Sequence, residues 1–226
     1  MELLIVLGRI FSSAAANVFQ KQFTHKGLHS LFIVMLSYLV LACISLPLIL
    51  LVEHSAIDHR FWINILLAAL LDMAGTLFLV LSLSKTDLSV FGPLNAYKVV
   101  FSMILALIFL GEVPSMQGLN GVIIILLGSF LLFPPATTPS ANRLSQLFMQ
   151  RGVQYRFLSI LLFSIGTLPL KNAVLSGGAL ATTVYWCLFG LPLSIGLYYW
   201  FGGKRWEMDW QAARQPRSHF LWLGGF

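Results

Sequence analysis

Charged residues are scarce in this chain of 226 residues, at 10% of the sequence, against about 25% in an average soluble domain. Eight acidic and fourteen basic side chains cannot form a polar coat when 58% of the residues are hydrophobic. The mean hydropathy of +0.85 points the same way. These values exclude a soluble globular domain and a disordered chain, and they indicate a protein whose partner is the lipid bilayer.

Cysteines are few and the common catalytic motifs are missing. Cys43 and Cys187 both lie in apolar runs, so neither a disulfide framework nor a metal site is expected. The chain has no His-Glu-x-x-His, Gly-x-Ser-x-Gly or Gly-x-x-x-x-Gly-Lys-Ser/Thr sequence. We therefore expect no enzyme activity and no cofactor.

A net charge of +6 would suggest nucleic-acid binding in a soluble protein, but here we interpret it as loop charge and expect no nucleic acid.

Long apolar runs are abundant instead. A spanning helix needs about 20 mostly apolar residues. Seven segments meet this requirement and an eighth begins before the sequence ends: 3–23, 31–52, 61–83, 88–110, 115–133, 157–175, 182–201 and 219 onward. The sequence therefore predicts an all-α integral membrane protein, a polytopic helix bundle of seven full spans plus the start of an eighth. The short last segment leads us to expect a chain truncated at its C-terminus.

The segment 134–156 is interpreted as a linker, because it opens with Pro134-Pro135 and continues with Pro139. It separates a first unit of five helices, 1–133, from an incomplete second unit, 157–226.

One spacing in the second unit repeats a spacing of the first. Lys21 precedes Gly27 by six residues, and Lys171 precedes Gly177 by six. Because an odd number of helices per unit gives the two units opposite orientations in the membrane, we predict inverted five-helix repeats with a site near the midplane. The alternative is chance agreement between apolar helices.

Loop charge predicts the orientation in the membrane. The N-terminus and the even-numbered loops contain one basic residue, Arg60, whereas the odd-numbered loops contain ten: Lys21, Lys26, Lys85, Arg143, Arg151, Arg156, Lys204, Arg205, Arg214 and Arg217. Since cytoplasmic loops are enriched in Lys and Arg, we expect the odd loops in the cytoplasm and the N-terminus outside.

Two ionisable residues lie near the middle of predicted spans. Asp72 is central in the third span and Lys98 is one residue from the centre of the fourth. A charge at this depth costs about 2.5–3.5 kcal/mol on insertion scales, so it usually faces protein or water. The pair is either a salt bridge that aligns two helices or a substrate or ion site.

Further polar residues recur at helical spacing. The three stripes are Arg9, Ser13 and Asn17; Asn95, Lys98 and Ser102; and Ser164, Thr167 and Lys171. Stripes of this kind line a hydrated cavity, or they form interhelical hydrogen bonds, which we favour for Ser102, Ser164 and Thr167. With Asp72 and with Tyr97, which adjoins Lys98, the candidates for a substrate or ion pathway are Arg9, Ser13, Asn17, Asp72, Asn95, Tyr97, Lys98 and Lys171.

A family resemblance lies in the third to fifth predicted helices. The stretch Leu81-Ser82-Leu83-Ser84-Lys85-Thr86-Asp87-Leu88-Ser89-Val90 leads to Pro93 and Ala96-Tyr97, and then to Phe109-Leu110-Gly111-Glu112 and a fifth helix with Gly121 and Gly128. This pattern resembles the drug/metabolite transporter superfamily, in particular its EamA-like ten-helix carriers of two five-helix repeats. The resemblance covers 1–135 well and 155–226 loosely.

The pattern departs from the superfamily at two points. The related small multidrug resistance exporters carry a proton-coupling glutamate eight residues before a lysine that resembles Lys21, and this chain has Ser13 there. Many EamA-like carriers are described with the N-terminus inside, whereas the loop charge here predicts it outside.

The resemblance and the polar residues together predict a secondary transporter in the plasma (inner) membrane. It would move a small metabolite or drug-like solute by alternating access, coupled to a proton or another ion. Arg9 and Lys98 would attract an anionic or zwitterionic group, and Asp72 would hold Lys98 or exchange a proton. The alternative is a membrane assembly or partner subunit whose polar residues are structural contacts. The sequence does not define the oligomeric state.

Overall fold

The structure is a computed structural model that describes residues 2–53, 57–86, 91, 94–95, 97–111, 113–132, 149–202 and 205–214. Its regular elements are helices: α1 (Glu2–His25), α2 (Ser30–Ser45) with a 3-10 extension (Leu46–Leu51), α3 (His59–Leu83), α4 (Tyr97–Leu110), α5 (Met116–Leu132), α6 (Arg151–Phe201) and α7 (Trp206–Arg214). The all-helical class predicted from the sequence is confirmed for these residues.

The long element α6 consists of two helices joined at Gly178. The backbone there has φ 78° and ψ 164°, a conformation that only glycine adopts easily. We call residues 151–177 α6a and residues 179–201 α6b. They correspond to the predicted segments 157–175 and 182–201.

Contacts with α2 and α3 show that the chain reverses between α6a and α6b. At one end of α3, the Asp58 N–H donates to the Ser176 carbonyl at 3.1 Å, and the ring of Tyr185 packs on Phe61 with centroids 5.8 Å apart. At the start of α2, Tyr198 packs on Phe32 with centroids 5.6 Å apart. The two arms of α6 therefore form an antiparallel hairpin against α2 and α3.

The buried core lies between α2, α3 and the α6 hairpin. One cluster joins the first half of α2 to the second half of α3 and the end of α6b, and another joins the start of α3 to both arms near Gly178. Glycines allow the close approach: a Cβ at Gly177 would collide with Phe61, and a Cβ at Gly190 would collide with Tyr38. Small residues at such contacts are typical of packed membrane helices.

Within the part of the chain that the structure describes, three helical segments are long and apolar enough to cross a membrane: Ser30–Leu51, His59–Leu83 and Arg151–Phe201. Shorter apolar helices cover Tyr97–Phe109 and Met116–Gly128. The count of seven full spans plus the start of an eighth stays a prediction, as does the inverted repeat. The segment from 219 onward lies outside the described residues, as do residues 133–148.

One predicted boundary is wrong. The sixth span was predicted to begin at residue 157, after a linker that included Arg151 and Arg156. The helix begins instead at Arg151, so Arg156 lies in its second turn and is only 2% exposed. The interior of the bundle accepts this charge because polar and aromatic groups of other residues surround it, as described below.

The two ends of the bundle differ in charge. The Lys21 ammonium donates to the carbonyl oxygens of Leu83 and Thr86 at 2.6 and 2.8 Å, which joins the end of α1 to the end of α3. Among the described residues, this end also carries other basic residues of the predicted odd loops, namely Lys26, Lys85, Arg151 and Arg205, whereas Arg60 lies at the opposite end of α3.

Candidate functional site

Asp72 lies in the middle of α3 and is hydrogen-bonded to a neighbouring helix. The hydroxyl of Tyr38, on α2, donates to its Oδ2 at 2.6 Å. Tyr38 is only 2% exposed, and its ring packs against Gly190 of α6b, where a side chain would occupy the same space. The glycine thus allows the tyrosine to reach the carboxylate.

Further polar groups surround this hydrogen bond. The side chain of Trp186, on α6b, interacts with the Asp72 carboxylate through its N–H, and Thr76 interacts with the Tyr38 hydroxyl. Cys187 is also in electrostatic range of Asp72. We call Tyr38, Asp72 and Trp186 the acidic centre. Three elements, α2, α3 and α6b, therefore converge on one carboxylate.

Lys98 lies on α4. It interacts electrostatically with Asp72, and its Nζ lies 4.7 Å from the ring centroid of Phe163, a cation–π arrangement with α6a. The Phe163 ring packs on Gly75, one turn after Asp72, where an added Cβ would come within 2.8 Å of the ring. Asp72 and Lys98 thus share one region, and the hydrogen bond to Asp72 comes from Tyr38.

Arg156 forms a second polar group between α6a and the segment before α4. Its guanidinium donates to Oδ1 of Asn95 and to Oγ of Ser159, the latter at 3.5 Å. The ring of Phe91 lies against it, with 4.1 Å from Cζ to the ring centroid. We call Arg156, Asn95 and Ser159 the basic centre. Ser159 in turn donates to the carbonyl of Gly75 at 2.8 Å, which links this centre to α3.

The polar stripes predicted on α4 and α6a face each other. The Ser102 hydroxyl donates to Ser164 at 3.3 Å, which is an interhelical hydrogen bond of the kind favoured for these residues. Thr167 donates to the carbonyl of Ser164 within its own helix at 2.6 Å. Tyr97 packs its ring on Phe157, with centroids 5.6 Å apart. Polar and aromatic contacts thus follow the boundary between α4 and α6a, which we call the α4–α6a seam.

The two centres, as defined above, do not include the remaining candidates. Ser13 is exposed on α1 and Asn17 is half-buried, while the side chain of Arg9 lies outside the described residues. Lys171 is half-buried in the second half of α6a. The structure therefore brings together Asp72, Lys98 and Asn95 but does not bring Ser13 to them.

Four residues that sequence analysis did not single out for the site belong to the centres: Tyr38, Trp186, Arg156 and Ser159. Trp186 lies near the start of the seventh predicted span, a position at which tryptophan is typical of the membrane interface. Arg156 precedes Ser159 by three residues and Ser164 by eight, so it continues the predicted stripe of α6a toward the N-terminus. That spacing was the available signal.

The fold and the two polar centres define a multi-pass helical membrane protein that holds charged groups between its helices. Residues 1–133 match the EamA-like transporter family, and the chain belongs to this family. The match covers α1 to α5 and confirms the resemblance drawn from the sequence. It supports a membrane transporter of small solutes, a function that is not enzymatic. No curated protein matches the chain.

Proposed function

We propose that the chain is a secondary transporter that moves a small solute by alternating access, with the acidic centre as part of its pathway. The observation that carries the proposal is the hydrogen bond from Tyr38 to Asp72 in the middle of apolar helices. An ionisable group at that depth is expensive in lipid and is generally functional.

The roles of the centre follow from its charges. Asp72 exchanges a proton or holds Lys98, while Lys98, with Arg9, attracts an anionic or zwitterionic group of the solute. Family membership supports a midplane site, because carriers of two inverted units bind their solute where the units meet. Ser13, Asn17, Tyr97 and Lys171 remain pathway candidates on the same argument.

The end of the bundle that carries Lys21, Lys26, Lys85 and Arg151 is proposed to face the cytoplasm of a cell whose plasma (inner) membrane holds the protein. Its basic residues support this orientation. A tag inserted in the predicted linker, before Arg151, should stay unlabelled by an impermeant reagent in intact cells. Labelling of that tag would contradict the orientation.

The two native cysteines give a test of water access. Cys187 is 4% exposed and lies in electrostatic range of Asp72, whereas Cys43 is on the outer face of α2. A thiol reacts as its thiolate, which requires water. In the Cys43→Ser variant, the hydrophilic reagent MTSET should modify Cys187 in both right-side-out and inside-out membrane vesicles.

The Cys187→Ser variant is the matched control, because it leaves Cys43 alone in contact with lipid. It should stay unmodified in both vesicle preparations. If Cys187 proves as unreactive as Cys43, the alternative of a membrane assembly subunit with structural polar contacts is favoured instead.

The charges of Asp72 and Lys98 provide a second test. Removing one charge of a fully buried pair typically costs about 3–5 kcal/mol, because the other charge is left uncompensated. Asp72 and Lys98 are half-buried, so we expect a smaller loss. Asp72→Asn and Lys98→Met should each lower the yield of folded protein in size-exclusion chromatography, and the double variant should recover it. If the pair belongs to the pathway, MTSET should modify Cys187 of the folded double variant in one vesicle orientation only. Modification in both orientations would make the pair structural.

A further inference from the structure

Arg156 is a buried cation whose described partners are all neutral. Its side chain is 2% exposed, and it donates to the amide oxygen of Asn95 and the hydroxyl of Ser159. Its Nε has no hydrogen-bond partner among the described residues, and no described carboxylate lies within ion-pair distance of it. A guanidinium has five N–H donors, so several remain for another acceptor.

The charges around the Gly75 turn of α3 do not cancel. Ser159 of the basic centre donates to the Gly75 carbonyl. The Phe163 ring, over which the Lys98 ammonium lies, packs on the same glycine. Asp72, one turn earlier on α3, is the described carboxylate that interacts with Lys98. Among the described residues, two cations and one carboxylate therefore border this turn, and Arg156 has no described counter-charge.

We propose that the basic centre binds an oxyanionic group of the transported solute, a carboxylate or a phosphate, as the counter-ion of Arg156. This inference rests on the proposed transport function. The planar guanidinium offers paired N–H donors that match the two oxygens of such a group. The oxyanion replaces Asn95 as acceptor, while Ser159 stays oriented because its own proton is given to Gly75.

A purely structural role for Arg156 makes a different prediction. If the guanidinium only joins α6a to the segment before α4, its neutral acceptors suffice and free anions have no effect. Asn95→Asp separates the two roles, because it supplies a carboxylate at the same position and keeps the guanidinium. In the binding role this variant no longer takes up an external anion.

The test uses the purified chain in phosphatidylcholine nanodiscs. Its melting temperature is measured against increasing benzoate and, separately, inorganic phosphate, each at constant ionic strength set with chloride. We expect a saturable rise with at least one of the two probes. Arg156→Gln and Asn95→Asp should raise the half-saturating concentration at least tenfold, while Arg60→Gln, at the opposite end of the bundle, should leave it unchanged.

Several results would overturn the proposal. They are no saturable rise with either probe, an unchanged response in Asn95→Asp, or an unchanged response in Arg156→Gln. Should Arg156→Gln not fold, Asn95→Asp alone decides. A rise caused by adding phosphatidylglycerol to the nanodiscs, with no further response to the free probes, would assign Arg156 to a lipid headgroup and also overturn it.

Failure of this inference is distinguishable from failure of the transport function. A water-accessible Cys187 with no anion response would leave a transporter of solutes that lack an oxyanion. An anion response with an inaccessible Cys187 would leave a binding site without a transport pathway. In that case both the transport function and the assignment of the anion to a transported solute would be wrong.

Discussion

Replacing Tyr38 with Phe tests the acidic centre with the smallest change that the chain allows. The substitution removes one hydroxyl, the donor at 2.6 Å from Asp72, and leaves the ring packed on Gly190. No cavity is created, since the ring and its neighbours stay. The change in stability therefore measures the hydrogen bond between α2 and α3.

The expected magnitude follows from the charge of the acceptor. Hydrogen bonds to charged groups contribute about 1.5–3 kcal/mol in proteins generally, but interhelical hydrogen bonds in a membrane protein average only about 0.6 kcal/mol, with a maximum near 1.7. Because Asp72 also interacts with Trp186 and Lys98, part of its charge stays compensated in Tyr38→Phe. We expect a loss of about 1.5 kcal/mol, close to the maximum for membrane helices.

A double-mutant cycle separates the charged hydrogen bond from other effects. In an Asp72→Asn background the amide oxygen still accepts from Tyr38, but a neutral bond is worth about 0.5 kcal/mol at the low end of the measured range. The free energy of unfolding is measured by titrating detergent-solubilised protein with SDS and following circular dichroism. Tyr38→Phe should cost about 1 kcal/mol less in this background than in the wild type.

The matched control is Tyr199→Phe, at a tyrosine of α6b that is 89% exposed. It should change stability by less than about 0.5 kcal/mol. Equal costs of Tyr38→Phe in the two backgrounds, or a cost no larger than that of Tyr199→Phe, would refute the argument that this hydroxyl stabilises a charged carboxylate.

Two further predictions concern packing and a helix end. Gly190→Ala should lower the free energy of unfolding by about 1–3 kcal/mol, because its methyl group would collide with Tyr38; Gly196→Ala, which meets nothing within 4 Å, should be neutral or stabilising in the same SDS titration. Lys21→Met should cost about 1–2 kcal/mol by removing the donor to two carbonyls at the end of α3. Lys26→Met, one turn further on, should cost less than half as much in thermal unfolding, and equal losses would contradict the proposed role of Lys21.

The sequence was sufficient for the helical class and for most helix positions, because apolar runs of spanning length are a property of each segment alone. The end of the second span shows that an apolar run does not indicate where an α-helix changes to another helix type. The segment 31–52 was predicted as one helix, but α2 ends at Ser45 and continues as a 3-10 turn through Leu51. Pro47 lies at the start of that turn. Because proline has no N–H to donate and its ring clashes with the preceding helical turn, it favours the change from α-helix to 3-10 helix.

Partners were harder to predict than positions, since a partner depends on how two helices rotate against each other. The depth of Asp72 was evident from the sequence, but its hydrogen bond to Tyr38 requires the contact between α2 and α6b at Gly190. Arg156 was interpreted as loop charge because it directly precedes the sixth predicted span, 157–175. Its burial depends on Asn95 and other groups that arrive from a distant part of the chain.

The two centres also differ in what holds their helices together. Large apolar side chains of α2 and α3 are fully buried against α6, so separating these helices would expose much apolar surface within the core. The described side chains of α4 are at most half-buried, and its contacts with α6a along the α4–α6a seam include a serine pair, a cation over a ring and a pair of aromatic rings. Water, a solute or an ion can replace polar contacts at little net cost, because each lost hydrogen bond is exchanged for another. We therefore expect that the α4–α6a seam, with Lys98 on one side and Arg156 on the other, would open with less loss of packing than the boundary of α2 and α3 with α6.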